Sequence, residues 1–244
     1  MRTKIFAHRG ASGKYPENTM TAFKQAEKEG ADGIELDVHL TRDRIPIVIH
    51  DETVDRTTDG YGFVKDYSIE GLKKLSAGHW KGWKFRNAQI PTLEEVLQWM
   101  SQTSLTLLVE FKNNILPYKG LEHKTIDLLR KYNMLERTIF SSFNHESLLK
   151  VKQIYNGAET AALYGKPMAS AAHYATSMGL DGLHPSYRIV NEKLVHELHA
   201  NNIKIRPYTV NSPQVMEVLF DWQIDGIITD YPQRANEVLN RMWI

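Results

Sequence analysis

Residues 33–51, Gly-Ile-Glu-Leu-Asp-Val-His-Leu-Thr-Arg-Asp-Arg-Ile-Pro-Ile-Val-Ile-His-Asp, decide how this chain is read. Two apolar, β-branched runs, 33–40 and 45–50, are separated only by Thr41-Arg42-Asp43-Arg44. A parallel neighbour needs a crossover of about a dozen residues or more, so the second run must return beside the first as a hairpin. On a strand, side chains alternate faces, which puts Glu35 and Asp37 on one side and Leu36 on the other. The return then delivers His50 next to both carboxylates. His39 is read as lying outside this cluster.

Working outward, the run 4–8 reads as a strand ending in Ala7-His8-Arg9-Gly10. Pro16-Glu17-Asn18-Thr19 opens a helix over 21–29, with Asn18 expected as its N-cap and Gly30 ending it. Residues 51–91 are rich in glycine and irregular, with a short helix expected at 68–75, and read as an insertion. Thr92-Leu93-Glu94-Glu95 is a capping box opening a helix over 93–100. From there apolar runs at 105–111, 138–141, 160–164, 182–184, 203–208 and 226–229 alternate with amphipathic helices. With the hairpin strand set aside, eight strands with intervening helices predict an α/β fold, a (β/α)8 TIM barrel with a small insertion after the second strand. One domain over residues 1–244 is expected.

The composition narrows the chemistry. The chain of 244 residues has a net charge of +1, which gives no general attraction to nucleic acid. There is no cysteine, so metal ligation must use oxygen or imidazole. No apolar signal segment precedes the first strand and no run reaches membrane-spanning length, so a cytoplasmic location without stable membrane anchoring is expected.

In such barrels the active site lies at the carboxyl ends of the strands. Listing those ends gives His8 and Arg9, Glu35 and Asp37, Glu110 and Lys112, Ser141 and Ser142, His184, Tyr208, Thr229 and Asp230. Taken singly, Arg9 with Glu35 and Lys112 with Glu110 read as internal salt bridges. Taken together with His8, His50 and Asp37, these ionisable groups cannot share one mouth unless they pair or bind something. Oxygen-only ligation favours Mg²⁺ or Ca²⁺. A divalent ion beside Arg9 and Lys112 makes a pocket for a phosphoryl oxygen, and two flanking imidazoles can serve as general acid and general base. That combination describes phosphodiester cleavage. His79, His123, His145, His173, His196 and His199 read as surface or helix-face residues, and Trp80, Trp83 and Phe85 as local core or ligand wall.

The motifs His8-Arg9-Gly10, Pro16-Glu17-Asn18-Thr19, Glu35-Leu36-Asp37-Val38, His50-Asp51 and Arg56-Thr57-Thr58 resemble those of the glycerophosphodiester phosphodiesterase family. Val109-Glu110-Phe111-Lys112, Tyr208-Thr209-Val210-Asn211 and Gly226-Ile227-Ile228-Thr229-Asp230-Tyr231-Pro232 carry the resemblance to the C-terminus. It implies His8 and His50 as the acid–base pair and Glu35, Asp37 and Glu110 as ligands of Mg²⁺ or Ca²⁺. Arg9 and Lys112 would hold the phosphate, with Tyr208 on the substrate in place of the family's usual Trp. His184 stands where the family often has Asn. The implied reaction is hydrolysis of small glycerophosphodiesters to sn-glycerol 3-phosphate and an alcohol, within lipid and glycerol metabolism. A cyclising phosphodiesterase and a non-catalytic phosphodiester binder remain the alternatives at this stage. Head group, metal, the division of acid and base, and oligomeric state stay open.

Overall fold

The computed structural model describes residues 2–242. The strands are β1 (Lys4–His8), β2 (Gly33–Leu40), β3 (Pro46–Val48), β4 (Thr106–Phe111), β5 (Thr138–Ser142), β6 (Glu159–Tyr164), β7 (Gly182–Pro185), β8 (Lys204–Ile205) and β9 (Gly226–Thr229). They pair in the order β8-β7-β6-β5-β4-β2-β1-β9, with all of these neighbours parallel. β3 is the expected hairpin return, antiparallel to β2 with Val38 opposite Val48 and Leu40 opposite Pro46.

The expected strand 203–208 is regular only at Lys204–Ile205. Pro207 offers no N–H to a ladder, so regular pairing stops before it. The barrel is stitched there by single bonds, Ile228 N–H to the Pro207 carbonyl and Val210 N–H to the Ile228 carbonyl, both 2.9 Å.

Between the strands run α1 (Met20–Lys28), α2 (Ile69–Leu72), α3 (Leu93–Met100), α4 (Leu121–Lys131), α5 (His145–Ile154), α6 (Ala171–Ser177), α7 (Glu192–Ala200), α8 (Pro213–Asp221) and α9 (Pro232–Met242). None of the described helices is long and apolar enough to cross a membrane. The period of two along each strand divides the core. Phe6, Leu108, Ile139, Ala161 and Ile228 fill the barrel, whereas Ile5, Ala7, Ile34, Leu36, Leu107 and Val109 face the helices.

The insertion builds its own apolar cluster from Ile47, Ile49, Val54, Val64, Leu72, Ala77 and Ile90. Its helix is shorter than the expected 68–75. The reason is competition: Ser76 N–H goes to Asp59 Oδ1 at 2.8 Å and the Lys73 carbonyl takes Gln89 Nε2–H at 2.8 Å. The capping box is present, with Thr92 Oγ1 accepting from Glu95 N–H and Glu95 accepting from Thr92 N–H.

The entry to α1 corrects the expected cap. Thr19, not Asn18, is the N-cap: it is extended, and its Oγ1 accepts from Ala22 N–H at 3.3 Å. Asn18 sits at φ +53° and turns its amide inward. The turn before it depends on Gly10, at φ +83°, where an added Cβ would lie 2.6 Å from the Ala22 carbonyl carbon. Gly10→Ala combines left-handed backbone with overlap, so it should cost about 2 kcal/mol or more. The thermal midpoint should fall by at least about 4 °C in a circular-dichroism melt; an unchanged midpoint would contradict this packing.

Candidate active site

The three carboxylates meet because the ladders put them level. His8 is opposite Glu35 between β1 and β2, and Asp37 is opposite Glu110 between β2 and β4. Register partners on neighbouring parallel strands project to the same side of a sheet. A carboxylate oxygen from each of Glu35, Asp37 and Glu110 lies within 4.8 Å of the other two, and all three residues are buried.

Two cations from the chain answer these three acids. Lys112 Nζ donates to Glu110 Oε1 at 2.8 Å and stands 3.7 Å from Asp37 Oδ1. Arg9 reaches the cluster twice, with its backbone N–H on Glu35 Oε2 at 2.9 Å and its Nε 3.4 Å from Asp37 Oδ2. Asn18 Nδ2 adds a hydrogen bond to Asp37 Oδ2 at 2.8 Å. Asp37 titrates low because Arg9, Lys112 and His50 outweigh the burial that would raise it. Glu35 is driven well up by burial and then by the charges of Asp37 and Glu110, and Glu110 goes up by burial and Asp37.

Asp37 Oδ1 is buried without a hydrogen-bond donor. One more positive charge among these oxygens would satisfy that atom and let all three acids ionise. All-oxygen donors fit a hard divalent cation.

The two histidines approach the cluster differently but are held alike. His8 Nδ1 lies 2.6 Å from Asp230 Oδ1, and Asp230 also accepts from Ser12 Oγ at 3.0 Å and Asn211 Nδ2 at 2.6 Å. Those contacts overcome burial and bring Asp230 down to about 2. His50 Nδ1 lies against Asp51 Oδ1, and Asp51 is gripped by Arg56 through Nε at 2.7 Å. Arg56 continues to Glu17 at 2.7 and 2.8 Å, and Glu17 to Arg9 Nη1 at 2.7 Å, closing a chain from one histidine to the arginine. With Nδ1 engaged on a carboxylate in both rings, Nε2 is left as the nitrogen that exchanges a proton.

A cavity of about 220 Å³ is lined by the polar residues His8, Arg9, Glu35, His50 and Glu110 together with the apolar or aromatic residues Leu108, Phe143, Leu163, Tyr208 and Ile228. Tyr208 meets Phe143 edge-on at 5.9 Å and gives its hydroxyl hydrogen to the Tyr164 carbonyl at 3.2 Å. Burial pushes the Tyr208 phenol up to about 12. Asp37 and Lys112 belong to the carboxylate cluster but do not line the cavity. A larger cavity, about 500 Å³, lies at the opposite end of the barrel around Lys4, Phe6, Lys204 and Arg206, away from these groups.

Other expectations are refined. His39 has the strand parity of Glu35 and Asp37, yet it stays out of the carboxylate cluster. Its ring spans Tyr118 Oη at 3.1 Å and the His50 carbonyl at 3.0 Å, so it supports the backbone of His50. Burial lowers its pKa to about 4, which keeps it neutral. His184 is fully buried, does not line the cavity, and sits with Nε2 3.4 Å from Arg206 Nη1. His145 is not a plain surface residue, since it bridges Tyr174 Oη and the Leu163 carbonyl.

Sequence reasoning gave no catalytic, metal-binding or substrate-binding role to Ser12, Glu17, Asn18, Asp51, Arg56, Asn211 or Asp230. Asp51 and Asp230 were visible as acids beside a strand end. The partner of Asp230 was not, because 222 positions separate it from His8.

Residues 8–234 match the sequence profile of the Glycerophosphoryl diester phosphodiesterase family. A glycerophosphodiester phosphodiesterase of Caldanaerobacter subterraneus is 46% identical over 96% of this chain and 96% of its own. One from Bacillus altitudinis is 41% identical over 98% of this chain and 99% of its own. Among solved structures, a phosphodiesterase of Oleispira antarctica in complex with the product sn-glycerol-3-phosphate superposes with a TM-score of 0.90. It is 29% identical, over 98% of this chain and 97% of that one.

Proposed function

The chain belongs to the glycerophosphoryl diester phosphodiesterase family and is an enzyme of that kind, and on this premise we propose a metal-dependent, two-histidine hydrolysis of small glycerophosphodiesters. The products are sn-glycerol 3-phosphate and the free alcohol of the head group. What supports the reading is one arrangement: two imidazoles, each with Nδ1 held by a carboxylate, line the same cavity as Arg9, Glu35 and Glu110.

Glu35, Asp37 and Glu110 are the residues that would hold the cation, Mg²⁺ or Ca²⁺. When bound, it supplies Lewis-acid stabilisation of charge on a phosphoryl oxygen. Arg9, which lines the cavity, holds the phosphate by charge-assisted hydrogen bonds, and Lys112, which does not line it, steadies Glu110 and Asp37 beside it. Nε2 of one histidine takes a proton from water as the water oxygen bonds to phosphorus. Nε2 of the other gives a proton to the alcohol oxygen as its bond to phosphorus breaks. Asp230 and Asp51 keep each ring in the tautomer that this exchange needs, and they stabilise the imidazolium. The apolar lining residues, Tyr208 and Phe143 among them, pack the carbon skeleton of the substrate.

Turnover of glycerophosphocholine in H₂¹⁸O tests the bond assignment. One ¹⁸O should enter the phosphate of glycerol 3-phosphate and none should enter choline. Label in choline, or a cyclic phosphate as the final product, would refute the hydrolytic scheme.

A further inference from the structure

Residues 71–92 of the insertion contain five Lys/Arg and no Asp or Glu, in a chain whose net charge is only +1. Lys73 and Lys74 are paired, with Glu95 and Glu70. Lys81, Lys84 and Arg86 form no ion pair among the described residues. Each lies instead over an aromatic ring: Lys81 over Trp80 at 5.2 Å, Lys84 over Phe85 at 4.8 Å, and Arg86 over Trp83 at 4.3 Å. Trp83 is 70% exposed and Trp80 38%. Tryptophan left this open to water is at odds with its hydrophobic surface, and the boundary of a bilayer suits it, with the ring at headgroup level and lysine or arginine tips in the wet layer.

The wider distribution agrees. Among the described residues, the aromatic side chains more than about a third exposed are Tyr61, Phe63, Trp80, Trp83 and Phe143. Four are on the insertion and Phe143 follows β5, so all lie in segments that follow the carboxyl ends of strands. The basic loop is also tied to the rim of the cavity. Lys81 Nζ donates to the Ser12 carbonyl at 2.7 Å, and Phe85 meets Tyr15 edge-on at 5.8 Å. Ser12 in turn donates to the His8 carbonyl at 2.7 Å.

We propose that residues 78–87 form a peripheral docking surface for an anionic lipid bilayer, bringing the mouth of the cavity to the membrane–water boundary. A run of cations without any acid matches a surface of uniform negative charge better than the mixed charges of a protein partner. The exposed rings add apolar burial to that attraction.

The inference goes beyond the reaction proposed above and is read by binding, so its failure is separable from a failure of the chemistry. The full chain is centrifuged with phosphatidylcholine vesicles containing about a third phosphatidylglycerol, and with pure phosphatidylcholine vesicles, at rising salt. The wild type should partition onto the anionic vesicles, with affinity falling as salt screens the charges. Lys84→Glu with Arg86→Glu should lower the partition coefficient by roughly 25-fold or more, at about fivefold per cation lost. Trp83→Ala should weaken it independently, with thermal midpoint and turnover of a water-soluble diester unchanged in both variants. A wild type that stays in the supernatant, or variants that partition like it, would overturn the proposal.

Discussion

His50→Ala is expected to lower kcat by about 10²–10⁴-fold, the usual range for removing a general acid or base. His8→Ala should do the same. The two rings are held by separate carboxylates from different parts of the chain, Asp51 from the insertion side and Asp230 from the end of β9. In the proposed scheme one ring accepts a proton while the other donates one, so neither can stand in for the other. The double variant should be little worse than either single one, as is usual for groups that act as a unit. Each substitution removes a partly exposed ring at a strand end, so the thermal midpoint should move far less than the rate. A variant that turned over at near-wild-type speed with its metal affinity intact would remove that histidine from the acid–base pair.

The second large effect is expected on cation binding at the proposed metal site. Asp37→Asn, Glu35→Gln and Glu110→Gln keep shape and remove charge. Even partners one shell removed from a metal cost about 10–100-fold in affinity when lost, so a direct ligand should cost at least that. Asp37 should be the most damaging. It faces Arg9 and Lys112 together, and neutralising it leaves two buried cations with less to answer them. Titration calorimetry with Mg²⁺ and Ca²⁺ reads the loss. An affinity equal to that of the wild type would take that residue out of the ligand set. Glu35 and Glu110 carry a further expectation. Burial and the neighbouring carboxylates raise both, so a rise in pH favours their ionised, cation-binding forms. Metal affinity should therefore strengthen as pH rises and weaken as it falls.

How much of this was legible in the sequence follows from the range of each interaction. The hairpin at 41–44 is a local matter of chain length, and it was read correctly because no four-residue link can cross a sheet. Glu35, Asp37 and Glu110 were found because period-two alternation and strand ends are local as well. Their level meeting across β2 and β4 is a matter of register, which parity alone does not fix. The cap at α1 was misplaced by one residue because Asn18 answers a buried carboxylate 19 positions away rather than the helix. The shortness of β8 traces to Pro207, whose missing N–H was in plain view. The supporting acids Asp51 and Asp230 are themselves held by Arg56, Asn211 and Ser12, contacts that no spacing rule anticipates.

The most direct test of metal-dependent hydrolysis follows glycerophosphocholine by ³¹P NMR after the protein has been stripped with EDTA, then restored with Mg²⁺ or Ca²⁺. The account predicts no product from the stripped protein and a glycerol 3-phosphate resonance on restoring at least one of the two ions. Full turnover by the stripped protein, or none with either ion, would contradict it.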